Sequence, residues 1–244
     1  MMKLLSIPVS AFYYLVFGLL LVIFHPVQWV CLNIFGYDAH KKSVDILNGC
    51  LVSSTYILGT TYTIRGIENI PNNVPIIFVS NHQSLYDIPM IIWFLRKAHP
   101  KFVSKIELGK GIPSVSYNLR HGGSVLIDRK DPKQALVEIK KLGQYIQQYN
   151  RAAVIFPEGT RSKDGHPKSF AESGLKMLVK YAPNAHIVPL TINNSWKLVR
   201  NGSFPLTLGA KLTLDIHPSI SVAEYSFEDL MLETRRSVVS KIFV

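Results

Sequence analysis

From about residue 60 onward, short apolar runs alternate with longer amphipathic segments, and this alternation limits the fold more than any other feature. The runs of strand length are TYTIR (61–65), PIIFVS (75–80), KFVS (101–104), SVLID (124–128), AAVIF (152–156), HIVPLTI (186–192) and KLTLDIH (211–217). Most are continuously apolar, as strands covered on both faces tend to be. The last one alternates Leu212, Leu214 and Ile216 with Lys211, Thr213 and Asp215, the pattern of a half-buried strand. The proline of HIVPLTI suggests an edge or a ligand-facing bend. Helices fit between the strands. Ser84 can cap a helix running to about Arg96, and Asp131-Pro132 is a cap followed by a first-position proline. Leu136, Ile139, Leu142 and Ile146 then make one apolar stripe that ends at Asn150. Further helices are expected at 173–182 and 226–242. The expectation is an α/β domain over 60–244, with a mostly parallel central sheet of about seven strands flanked by helices. Ligands of such sheets sit beyond the carboxyl ends of the strands.

Residues 1–59 read differently. The run IPVSAFYYLVFGLLLVIF (7–24) has no charge and is 18 residues long, close to the roughly 20 that span a hydrocarbon core. It ends in Ile-Phe-His-Pro, without the small residues of a signal cleavage site. A single span and a monotopic pair of helices in one leaflet remain. The break expected at His25-Pro26, and the interfacial residue types Tyr13, Tyr14, Trp29 and Tyr37, favour the membrane-embedded helix pair.

Lys and Arg number 27 against 16 acids, a formal net charge of +11. That balance favours an anionic partner. The uncharged N-terminal run and the lack of any nucleic-acid motif argue for lipid and phosphorylated substrates and against nucleic acid. Cys31 and Cys50 make no disulfide framework, and no His, Cys or carboxylate group has metal-ligand spacing, so no metal is expected.

Three stretches could carry chemistry. In VSNHQSLYDIP (79–89), His82 lies just past a strand end and Asp87 lies in the first turn of the next helix. Five residues across a tight turn can bring a carboxylate to one ring nitrogen, leaving the other as a base. The competing reading is that Ser84-x-x-Asp87 is only a helix cap. In FPEGTRS (156–162), Glu158, Thr160 and Arg161 project at the same sheet edge, with Pro157 and Gly159 turning the chain. Arg161 suits a bidentate phosphate grip; its competing reading is a local ion pair with Glu158. In GGSVLIDR (122–129), Arg129 follows another strand. The adjacent HGG (121–123) could form an esterase-type oxyanion loop, but no G-x-S-x-G nucleophile occurs, so that reading is discarded.

Together with Val188-Pro189, these blocks resemble the glycerolipid acyltransferase family, most closely its bacterial 1-acylglycerol-3-phosphate acyltransferases. The shared pattern is Asn81-His82-x4-Asp87, Gly123 through Ile127-Asp128-Arg129, and Phe156 to Ser162. The resemblance implies acyl transfer from a thioester to the free hydroxyl of lysophosphatidate, giving phosphatidate. By it His82 is the general base and Asp87 orients it. Glu158, Gly159 and Arg161, with Thr160 in the same block, would bind the glycerol phosphate, and Arg129 would contribute to acceptor binding. Lys105, in the post-strand loop KIELGKG, is a further candidate phosphate contact, with surface solvation as the competing reading. No cofactor is implied beyond the co-substrate, acyl carrier protein (acyl-ACP) or acyl-CoA. The expected location is the cell membrane, with the catalytic domain on the cytoplasmic face. Another lysolipid acceptor, such as a lyso-aminolipid, and a non-catalytic protein binding anionic lipid are the alternatives.

Overall fold

The computed structural model describes residues 2–243. Its centre is an eight-stranded sheet in the order β1-β7-β6-β2-β5-β3-β4, with β8 pairing β6. The strands are β1 (Thr61–Arg65), β2 (Ile76–Ser80), β3 (Pro100–Lys105), β4 (Val125–Ile127), β5 (Ala152–Ile155), β6 (His186–Asn193), β7 (Lys211–Ile216) and β8 (Ile220–Ser221). All pairings are parallel except those of β6 with β7 and β8. The seven expected strands are therefore present, and the short β8 is added to them.

Alternation of side chains along β2 and β5 divides the core. Phe78, Val154 and Val188 join a cluster containing Met90, Ile91 and Tyr86 from the helix α3 (Asp87–Phe94) and the turn before it. Ile77, Val79, Ala153 and Ile155 face the opposite way. They meet Ile139, Leu142 and Ile146 of α5 (Pro132–Tyr149), Leu175 and Leu178 of α6 (Glu172–Tyr181), and Leu230 of α8 (Phe227–Ser240). Both faces are covered, which is why these strands read as unbroken apolar runs. Asp131 caps α5 as expected, accepting from the N–H groups of Lys133 and Gln134 at 3.0 Å each. The helix expected from Ser84 to Arg96 is shorter, because residues 84–86 form a turn and the helix proper starts at Asp87.

Pro189 is not on an edge, contrary to the reading of HIVPLTI. It lies mid-sheet on β6, opposite Val79 of β2. On its other side it falls between the pairing with β8, at His186 and Ile187, and the pairing with β7, from Leu190 onward. A residue without an N–H is tolerated at such a seam.

The N-terminal hairpin also turns at a different place. Helix α1 (Met2–Phe35) runs straight through Pro26, and the corner is Gly36 at φ +84°, before α2 (Tyr37–Ser54). A proline inside a helix forfeits one backbone bond. Here the turn before it is held from outside: Ser114 Oγ donates to the Leu21 carbonyl at 2.6 Å and Ser114 N–H to His25 Nδ1 at 3.1 Å. A left-handed φ suits glycine, so Gly36 takes the turn. Among the described residues α1 alone is long and apolar enough to cross a membrane, with Leu5, Phe12, Leu15, Leu19, Ile23 and Ile34 exposed along it. Helix α2 is amphipathic and buries Val44, Leu47, Leu51 and Val52.

Candidate active site

Parallel β2, β5, β3 and β4 end at the same sheet edge, as does β6, which runs parallel to β2. The residues singled out in the sequence all follow these strand ends. His82 comes after β2, Glu158 to Arg161 after β5, Lys105 ends β3, and Arg129 follows β4.

The first corner is fully built. His82 Nδ1 lies 2.8 Å from Asp87 Oδ2, and that oxygen also accepts from the backbone N–H groups of Gln83 (2.7 Å) and Ser84 (2.9 Å). An oxygen already accepting from two N–H groups leaves the ring nitrogen as the donor. The second carboxylate oxygen accepts from Ser84 Oγ at 3.3 Å and from Ser195 Oγ. Ser84 and Asp87 are thus bonded to each other as the capping reading expects, but the helix begins at Asp87 after Tyr86 without a side-chain cap, and the same carboxylate orients the His82 ring. Asp87 is wholly buried, whereas the His82 side chain keeps 15% of its exposure. Its ring stacks on Phe156, with centroids 4.1 Å apart. Among the described residues nothing hydrogen-bonds Nε2, which is therefore available as a base.

Three further groups fix this corner, and of these only Asn81 belongs to the pattern singled out in the sequence. Asn81 exchanges two 2.8 Å bonds with the backbone of Ile192 on β6, extending the β2–β6 pairing past the strand end. Gln83 Oε1 accepts from Ser195 N–H at 3.1 Å. Ser195 begins α7 (Ser195–Leu198) and reaches Asp87 across 108 positions of sequence.

The second corner is open. Gly159 sits at φ +68° in a turn closed by its N–H on the Phe156 carbonyl at 3.0 Å. The loop is tied to the first corner by Ser162 N–H, which donates to the His82 carbonyl at 2.7 Å. Lys168 holds the loop from outside, donating to Thr160 Oγ1 (2.9 Å) and the Arg161 carbonyl (2.8 Å). Arg161 and Arg129 are exposed, and neither guanidinium has a partner among the described residues. The expected alternative, an Arg161–Glu158 ion pair, is absent. Glu158 is instead 8% exposed with both carboxylate oxygens unbonded. Burial raises its pKa to about 7, against a weaker opposing pull from the nearby His82 backbone and Lys168. Lys105 pairs with Glu107 at 3.6 Å and does not reach His82. With strands about 4.8 Å apart, β3 and β4 stand about 10 and 14 Å from β2. Lys105 and Arg129 thus flank the cleft and do not touch the His82 corner.

A family model described as Acyltransferase matches residues 61–193, more than half of the chain. This chain belongs to the acyltransferase family. The matched segment runs from β1 to the end of β6 and holds both corners of the site. Among curated relatives of this acyltransferase, a chloroplastic 1-acyl-sn-glycerol-3-phosphate acyltransferase of Arabidopsis thaliana is 30% identical over 179 residues. That match covers 73% of this chain and 48% of the plant protein, so the chain spans about half of that relative's length. The 1-acyl-sn-glycerol-3-phosphate acyltransferase of Borreliella burgdorferi is 28% identical over 207 residues, covering 83% of this chain and 80% of its own. The crystal structure of the 1-acyl-sn-glycerophosphate acyltransferase PlsC from Thermotoga maritima superposes with a TM-score of 0.81 at 26% identity. It covers 98% of this chain and 95% of that one, so the α1–α2 hairpin lies within the matched architecture as well as the sheet.

Proposed function

We propose that this acyltransferase moves a fatty acyl group from an acyl thioester to the free hydroxyl of 1-acylglycerol 3-phosphate, giving phosphatidate. The observation that carries the reading is the His82–Asp87 pair at 2.8 Å, with Nε2 unbonded at the mouth of the cleft. His82 Nε2 takes the hydroxyl proton as the oxygen attacks the thioester carbonyl. Asp87 holds the ring in the Nδ1–H form and stabilises the imidazolium that results. Collapse of the tetrahedral intermediate forms the ester and breaks the C–S bond, and the imidazolium returns its proton to the leaving thiolate. No protein nucleophile enters, so attack is direct within a ternary complex. Arg161 holds the acceptor's phosphate, with Gly159 and Thr160 shaping the loop and Glu158 facing the glycerol. Arg129 and Lys105 add positive charge along the rim. The relatives' names, which specify 1-acyl-sn-glycerol-3-phosphate, support the choice of acceptor.

The donor is acyl-ACP or acyl-CoA, acting as co-substrate. The exposed apolar side of α1 lies in membrane lipid, and the catalytic domain faces the cytoplasm, where both donors occur. The test is turnover by full-length protein in detergent, offered 1-acylglycerol 3-phosphate with each donor in turn. Phosphatidate and free thiol in equal amounts are expected. Thiol release without phosphatidate, or transfer to a lyso-aminolipid in preference to lysophosphatidate, overturns the assignment.

A further inference from the structure

At the sheet edge opposite the His82 cleft, a narrow cavity of about 20 Å³ lies between α2 and the start of β3. His40, Lys41 and Asp45 of α2 line it, with Lys101 of β3 and the side chains of Asn118 and Ser124. None of these groups serves the reaction proposed above.

The charges around this cavity do not cancel. Lys101 is only 7% exposed, yet no carboxylate and no hydrogen-bond acceptor meets its ammonium among the described residues. Its ammonium lies 5.4 Å from the centre of the Tyr37 ring, and Asp45 attracts it from beyond ion-pair distance. Arg151, at the start of β5, has no carboxylate either. It lies over the rings of Tyr37 (4.8 Å), Tyr149 (5.0 Å) and Tyr145 (5.1 Å) and donates to Tyr145 Oη. Asp45 is the only acid lining the cavity, and it pairs with Lys41. Lys41, Lys101 and Arg151 thus share a single carboxylate, an excess of two positive charges. The two histidines add none: burial lowers the pKa of His40 to about 4 and that of His99 to about 2.

The other polar groups nearby are only partly committed. Tyr37 Oη donates to the Gly122 carbonyl (3.1 Å) and lies 2.9 Å from both His99 Nε2 and Tyr145 Oη. Ser124 Oγ accepts from Phe102 N–H at 3.1 Å, which leaves its hydrogen free. His40 Nε2 is buried with no partner. Burying a charge without a counter-charge is costly, and proteins pair such groups or lose the charge. Burial, Arg151 and Lys41 pull the Lys101 pKa down to about 7 against a weaker opposing pull from Asp45, so an added negative charge would favour its ammonium form.

We propose that this cavity binds one small inorganic anion of the chloride class, held by Lys101 and bridging α2 to β3. Size argues for a monoatomic ion. One water needs roughly 10–15 Å³ of such space, so about 20 Å³ admits a single small occupant and not a tetrahedral oxyanion. The consequence is a halide-dependent attachment of the N-terminal hairpin to the catalytic domain.

The test uses full-length protein in detergent, melted at constant ionic strength while chloride replaces gluconate. The melting temperature should rise and saturate. At 100 times the dissociation constant the folding equilibrium shifts about 100-fold, or about 5–10 °C for a chain of this size. Lys101→Met, close in volume, should melt at the same temperature in both salts. If that variant does not fold, crystals of the wild-type protein grown in bromide decide the matter, with an anomalous peak expected in the cavity. Equal wild-type melting in chloride and gluconate, a chloride response that survives in Lys101→Met, or a bromide crystal without that peak overturns the proposal.

Discussion

Around Asp87 both carboxylate oxygens are saturated, by two backbone N–H groups, two hydroxyls and one imidazole. In the neighbouring loop after β5, the guanidinium of Arg161 has no partner among the described residues, and the Glu158 carboxylate is buried unbonded. On the proposed function, the first corner is preorganised for a proton transfer whose geometry is set by the protein alone. The second is held in place by its backbone, through Ser162 N–H and Lys168, while its charged tips are left for something to bind. On the proposed function, the groups that would act on the reacting atom are fixed in advance, and those that would recognise a charged substrate carry unfilled valences.

The largest effect should come from the fixed corner. His82→Ala removes the base and should lower kcat by about 10²–10⁴-fold. The fold should survive, because Asp87 keeps four other donors. A folded variant turning over at near wild-type rate would take the base away from His82 and dissolve the contrast between the two corners.

Next in size is Glu158. Its folded pKa is about 7 against an ordinary 4.5, so between those values the folded protein holds a proton that the unfolded chain releases. Stability is therefore highest below about pH 4.5, declines as pH rises to about 7, and is level above it, by about 3 kcal/mol in total from this group. Glu158→Gln should remove that slope from a plot of unfolding free energy against pH. An unchanged slope means that the carboxylate is already paired in solution, and the second corner is then less open than described.

Arg161→Ala comes third and separates recognition from chemistry. Loss of one charged hydrogen bond, about 1.5–3 kcal/mol, should raise the acceptor's KM about 10- to 150-fold while the thioester's KM stays level. Its melting temperature should not change, since the side chain is exposed and unpaired. Equal weakening toward both substrates would remove the phosphate grip from Arg161.

The fixed corner was also the more legible one in the sequence, but only in its local part. His82 and Asp87 are five residues apart across one turn, so their meeting follows from a short motif. Strands were legible because both faces of the sheet are covered, which leaves apolar runs with sharp ends. Asn81 bonds to Ile192 of β6 and Ser195 of α7 bonds to Asp87, each across more than 100 positions, and no local pattern records either approach. Helix α4 (Val115–His121) went unread for a similar reason. It is seven residues long, begins after Ser114 at φ +60° with no side-chain cap, and is held by packing on α1. The turn at Gly36 shows the converse. Proline is a strong breaker by local rules, yet tertiary bonds to Leu21 and His25 carried α1 past Pro26 to the glycine.

Lys105 should give the smallest effect, and it marks where the open corner ends. Its side chain is 46% exposed and its partner Glu107 is 67% exposed, at 3.6 Å. Such surface pairs contribute about 0–1 kcal/mol. Lys105→Ala should therefore leave the melting temperature within error and change the acceptor's KM by less than about 5-fold. What change there is should shrink as salt is added, because a charge about 10 Å from the strand that leads to His82 acts through the field and not through contact. Glu107→Ala sharpens the measurement. If Glu107 only shares the surface with Lys105, its removal leaves the acceptor's KM alone. If it restrains Lys105 from the phosphate, its removal lowers that KM, and Lys105→Ala in the same background raises it. A salt-resistant loss in Lys105→Ala as large as that of Arg161→Ala would show that the lysine leaves Glu107 when substrate arrives, and the binding corner would then extend across β5 to β3.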